Sequence, residues 1–127
     1  MSLDKELADA RLKLVGWAEE QVAGTLFAIT ERTIKETPVD QGRLRNNWQS
    51  SIGRPIKSEI NGNDPSGGRA ISQANAVIKK MELGDTFYFT NNLPYAARIE
   101  YKGHSDLAPK GMLRINVERV VASLRRQ

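Results

Sequence analysis

Cysteine is absent from the sequence, which excludes a disulfide framework, a thiolate nucleophile and a thiolate metal site. The absence is compatible with assembly in a reducing cytoplasm. Histidine is nearly absent too: His104 stands alone in the stretch YKGHSDLAPKG. One histidine without cysteine does not supply the three or four ligands of a zinc centre. Ser105 and Asp106 follow it directly, whereas a catalytic triad draws its members from separate parts of a fold, so His104 reads as a solvated loop residue. No G-x-x-x-x-G-K-[ST] phosphate loop occurs. Gly62, Gly67 and Gly68 are spaced differently, and no lysine follows where one is required. Glu19-Glu20 and Asp85 are isolated carboxylates. No apolar run approaches the roughly 20 residues of a membrane span. Asp4, Glu6 and Asp9 open the chain without the apolar stretch of a secretory signal. The expectation is a non-enzymatic protein with no cofactor, no metal and no membrane partner.

With 127 residues, 39% of them hydrophobic and 27% charged, the chain suits one globular domain with a single core. Its net charge of +4 is unevenly distributed. Residues 1–36 hold five Lys/Arg against seven Asp/Glu, residues 37–97 seven against five, and residues 98–127 seven against three. A chain acidic at one end and basic at the other can pair with copies of itself or with charged partners; a solvated mixed-charge surface is the plainer reading.

Between Asp4 and Glu36 there is no proline, and apolar residues recur at three- and four-residue steps: Leu7, Ala10, Leu14, Ala18, Val22, Leu26, Ile29 and Thr33. Leu12, Val15, Ala23 and Phe27 widen this stripe. The pattern predicts an amphipathic helix over 4–36, which at 1.5 Å per residue reaches roughly 50 Å. So long a helix is expected to pack on its own domain along one part and on something else along another. Thr37-Pro38 ends it, and Asp40-Gln41-Gly42 turns the chain.

From Leu44 to Ile52 apolar and polar residues alternate, which predicts a strand with Leu44, Trp48 and Ile52 inward and Arg43, Arg45, Asn47 and Gln49 outward. A second strand is expected over Pro55–Ile60, making a strand pair across 37–60. Residues 61–68, NGNDPSGG, read as a flexible loop, followed by a helix over 69–83 that stops at Gly84. A further strand is expected at 86–91 and a short helix at 94–101, with Pro94 suited to its first position. Residues 111–126 fit a helix better than a strand because the apolar pattern outlasts strand length. The fold class expected is therefore α+β: a long N-terminal helix on a small, mostly antiparallel sheet, with two or three further helices.

Three stretches, TPVDQGRLRNNW (37–48), FTNNLPYAARIEY (89–101) and APKGMLRINVERV (108–120), together resemble the tail-component family of long-tailed bacteriophages and prophages. The family pattern runs from a long N-terminal helix through a TPVDTGRLR turn and a TN-x-x-PYA-x-x-x-E segment to a final AP-x-G helix. All occur here in that order. Gln41 replaces the usual threonine, and Lys102 precedes Gly103 where the family tends to run Glu-Tyr-Gly. The resemblance implies a non-enzymatic neck, head–tail joining or tail-completion protein, acting as a ring, often sixfold, between portal and tail. It implies location in the virion after assembly in the bacterial cytoplasm, with portal, adaptor, tail-tube or terminator proteins as partners. On this reading Arg43, Arg45, Tyr95, Arg98 and Tyr101 lie at subunit or partner contacts, since Arg and Tyr combine contact area with hydrogen bonding. Tyr95 and Tyr101 equally well cap the core. The alternative is a small basic nucleic-acid-binding module, suggested by a sequence pI near 9.6 and by arginines beside a tryptophan. Under the first reading, contact with packaged DNA is at most non-specific.

Overall fold

The computed structural model describes residues 3–39, 42–102 and 111–126. In chain order the elements are α1 (Leu3–Glu36), a single helical turn α2 (Arg43–Asn46), β1 (Trp48–Ile52), α3 (Gly68–Lys80), β2 (Phe87–Asn91), α4 (Ala96–Lys102) and α5 (Leu113–Arg125). The protein is α+β, with the long N-terminal helix and an antiparallel two-stranded sheet. The strands pair from Trp48↔Asn91 to Ile52↔Phe87. The diagonal contact of that register stacks the rings of Trp48 and Phe89, with centroids 4.5 Å apart and planes 13° from parallel.

The core lies where the C-terminal end of α1 meets the sheet and the other helices. Ile34, Leu44, Trp48, Ala70, Leu93, Ala96 and Met112 form its buried cluster, with Ile71, Phe89, Ile99 and Leu113 packed against it. On α1 the only buried residues are Thr30, Thr33 and Ile34. Every residue from Leu3 to Leu14 is exposed. One part of the long helix packs on its own domain and another does not.

Two strand expectations are corrected. The period-two pattern over 44–52 becomes a strand only from Trp48; before it the chain makes a helical turn, with the Asn46 amide donating to the Gly42 carbonyl at 3.0 Å. Gly42 sets this up at φ 85°, a left-handed conformation that glycine adopts without a Cβ penalty. A Cβ there would also sit 2.4 Å from the Pro65 nitrogen. Segment 55–60 is not a strand. Its carbonyls meet side-chain amides instead of a neighbouring backbone. Ile56 O accepts from Asn92 Nδ2 at 2.8 Å, Ser58 O from Gln49 Nε2 at 2.6 Å, and Ile60 O from Asn47 Nδ2 at 3.1 Å. The alternation was real, but amides from β1, from its approach and from the residue after β2 meet these carbonyls.

Inward and outward parity fails in the same place. Asn47 and Gln49 are buried along with Trp48 and Ser50. β2 covers one edge of β1. On the other, Trp48 O accepts from Arg69 and Ser50 N donates to Gln73 Oε1, both carried by α3. Arg69 and Gln73 are four residues apart, so one face of α3 delivers both to an edge that would otherwise be open.

Loop 61–68 is tied down throughout its second half. Asp64 Oδ2 accepts from the Arg69 amide at 3.0 Å, its Oδ1 from Ser66 Oγ at 2.6 Å, and Ser66 Oγ from the Gly68 amide at 3.0 Å. These groups cap the first turn of α3. α5 is a helix as expected, and α2 adds a helical turn beyond those expected.

Candidate docking surfaces

The residues singled out by the resemblance divide into two sets. Arg43 and Arg98 are exposed, as are Tyr95 (39%) and Tyr101 (68%). Tyr95, Arg98 and Tyr101 follow one another at three-residue steps along α4 and its lead-in, so they share a side of that helix. The Arg114 guanidinium lies over the Tyr101 ring, 4.6 Å from its centroid. Tyr101 therefore joins α4 to α5 while leaving most of its surface open.

Arg45 goes inward. Its guanidinium donates to Lys35 O at 2.8 Å, Thr37 O at 2.7 Å and Pro65 O at 2.7 Å. The first two carbonyls belong to the C-terminal end of α1, where a helix leaves acceptors without intrahelical partners and a cation is favoured. Burial lowers the Arg45 pKa, with the Asp64 charge opposing that shift. Arg69 shows the same direction for the same two causes. Its Nε donates to Asn46 Oδ1 at 2.6 Å and a terminal nitrogen to Asn46 O. Both arginines are bound to backbone and amide oxygens.

Glu100 is the clearest structural residue that sequence reasoning passed over. It is 8% exposed, and its carboxylate accepts from the amides of Met112 (2.5 Å), Leu113 (2.9 Å) and Arg114 (2.8 Å). α4 thus supplies the N-terminal cap of α5, an anion against the positive end of a helix. Burial acts to raise the Glu100 pKa. The hydrogen bonds from Arg114, Met112 and Leu113 outweigh burial and leave the pKa below the ordinary glutamate value. Gly111, at φ 89°, makes the approach possible: a Cβ there would lie 2.6 Å from Glu100 O.

The three motif stretches therefore hold one another. Trp48 Nε1 donates to Thr37 Oγ1 within the first, Asn91 Nδ2 donates to Leu44 O between the first and second, and Glu100 caps the helix opened by the third. Their conspicuous polar residues are largely occupied with the fold. Residues 103–110, with His104 and Asp106, and the Asp40-Gln41 part of the turn lie outside the described residues.

The larger open surface is on α1. Leu3, Leu7, Leu12, Leu14 and Trp17 are each more than 60% exposed. Trp17 escaped the sequence reading because it flanks the predicted stripe instead of falling on it. Further along, a groove of about 320 Å³ runs between α1 and the end of α3, lined by apolar Val22, Ala23, Phe27, Ile78, Met81 and Leu83 together with Glu19, Glu20, Glu82 and Asp85. Among the described residues no group of three or more His, Asp or Glu side chains is placed to hold a metal, and no helix is long and apolar enough to cross a membrane.

No protein family, curated protein or solved structure matches the chain.

Proposed function

We propose that this chain is a non-enzymatic virion assembly protein of a phage or prophage, a ring-forming neck or tail-completion component that joins head to tail. The observation that carries the proposal is the unequal use of α1. One end completes the core, while the other exposes Leu7, Leu14 and Trp17 as a docking arm that a free-standing monomer has no use for. The three motifs supply the family resemblance, and the acidic N-terminal and basic C-terminal thirds suit a head-to-tail ring built from two different patches. Copies of itself, six to a ring by the family pattern, and portal, adaptor, tail-tube or terminator proteins are the partners on this reading. The virion neck or tail is the location.

The alternative, a small basic nucleic-acid-binding module, loses its main support in the geometry. Trp48 is stacked inside the core, and Arg45 and Arg69 are engaged by carbonyl oxygens, so this tryptophan and these two arginines do not share an open surface for bases and phosphates.

The test is genetic and compositional. Particles induced from a lysogen carrying the gene contain the chain at a fixed ratio to portal subunits. Deletion leaves filled heads and free tails that do not join. Normal infectious particles from the deletion strain would refute the proposal. Tight DNA binding that weakens steeply with salt would favour the alternative.

A further inference from the structure

We propose that the exposed N-terminal part of α1 pairs antiparallel with the same segment of a second copy, around a two-fold axis, in one register fixed by charge. The inference concerns the free chain in solution, where the arm has no ring or portal partner to dock on, and it does not depend on the virion reading. Leu3, Leu7, Ala10, Leu14 and Trp17 follow one another at steps of four, three, four and three, the spacing of a coiled-coil seam. All five are exposed, and four are large. A seam of this spacing is covered by a helix of the same spacing, and the chain itself offers one.

The residues flanking the seam choose the orientation. On one side lie Asp4 and Arg11, on the other Glu6 and Lys13. All four are exposed, and none takes part in the ion pairs found among the described residues. In an antiparallel pair each flank faces its own equivalent. Setting Leu3 against the partner copy's Leu14, and Leu7 against its Ala10, brings Asp4 to Arg11 and Glu6 to Lys13, each twice by symmetry. Four opposite-charge contacts then border the seam. Sliding one heptad toward the C-terminus sets Arg11 against Arg11 and Lys13 against Lys13. A second heptad keeps only Lys13 with Glu20 and carries the pairing to Gln21, beside the Glu19–Val22 wall of the groove on α3. A parallel pair offers only Glu6 with Arg11. One register out of these satisfies all four charges, as expected of a self-complementary two-fold contact.

The full-length chain, with its charges exchanged, tests this by mass in solution. The wild type sediments as a concentration-dependent dimer that weakens as salt rises, since the contacts are exposed. Arg11→Glu/Lys13→Glu makes all four flanking groups acidic, and Asp4→Lys/Glu6→Lys makes them all basic. Each variant alone is expected to dissociate at least about tenfold more readily, and an equal mixture of the two to recover the dimer. Because the chain has no cysteine, orientation is read independently. A short thiol cross-linker joins Leu3→Cys to Leu14→Cys in a mixture but not Leu14→Cys to itself, those positions being about 16 Å apart along the antiparallel pair. A monomer at all concentrations, a dimer or ring indifferent to both charge exchanges, or self-linking by Leu14→Cys would each overturn the proposal. Unchanged helical circular dichroism in the variants excludes misfolding as the cause.

Discussion

The indole Nε1 of Trp48 donates a hydrogen bond to Thr37 Oγ1 at 2.8 Å, and that hydroxyl donates in turn to Thr33 O at 2.6 Å. The first strand is thereby fastened to the last turn of α1 inside the core, where both side chains are almost fully buried. Thr37→Val keeps the shape of the side chain but strands the indole N–H, at an expected cost of about 2 kcal/mol. Urea unfolding followed by tryptophan fluorescence measures it. A loss below about 0.5 kcal/mol would mean that the bond contributes nothing beyond packing.

Arg43 and Arg45 differ by two positions in sequence and by their whole environment. Arg45→Ala removes the donor from Lys35 O, Thr37 O and Pro65 O and is expected to cost about 2–3 kcal/mol. Arg43→Ala, at an exposed site, stays within about 0.5 kcal/mol. Thermal melts of the two variants side by side decide the matter, and equal effects would contradict the assignment of Arg45 as a clamp.

Stability is expected to fall in acid through Glu100. Its folded pKa lies below the ordinary value, so the unfolded chain takes up a proton first as pH drops. The carboxylate's contribution is complete above the unfolded value of about 4.3 and is lost as pH falls from there through the folded pKa. Glu100→Gln keeps the volume and lowers stability by about 2 kcal/mol at neutral pH. The variant also loses part of the acid dependence between pH 5 and 2, to be read by unfolding at stepped pH.

Along α1, the cost of truncation should rise from one end to the other. Leu7→Ala and Leu14→Ala remove exposed side chains and change the stability of the monomer by less than about 0.5 kcal/mol, whereas Ile34→Ala leaves a cavity in the core and costs about 3 kcal/mol. The measurement is chemical unfolding at low concentration, where self-association does not contribute.

Gly42→Ala tests the turn. Positive φ and the neighbouring Pro65 backbone both oppose a side chain there, and a loss of more than about 1 kcal/mol is expected. Gly16→Ala in the exposed part of α1, where a Cβ meets nothing within 4 Å, should stabilise slightly.

The helices were legible because they carry their own periodicity: α1, α3 and α5 stand within a few residues of their expected bounds. The stretch 44–60 was not, and the reason is physical. Alternation of apolar and polar residues signals a half-buried strand only when the polar half meets water. Here Asn47 and Gln49 meet the carbonyls of Ile60 and Ser58, and a buried amide is indistinguishable from a solvated one in a string of letters. The same limit applied to charge. Arg45 and Arg69 bind backbone oxygens supplied by distant segments, and Glu100 binds amides twelve to fourteen residues on. Trp17 was available to sequence reading, as it continues the four–three spacing from Leu3, but a stripe drawn for a globular face runs past it.

The side-chain amides that receive segment 55–60 have a chemical lifetime that a backbone ladder does not. Asn92 Nδ2 serves Ile56 O at 2.8 Å and Ser58 O at 3.1 Å at once. Spontaneous hydrolysis of that amide would turn a donor into a carboxylate, which can only accept, and set its charge against two carbonyl oxygens. Ageing of the protein would therefore begin as the peeling of one segment from the end of β2, with the helices still in place.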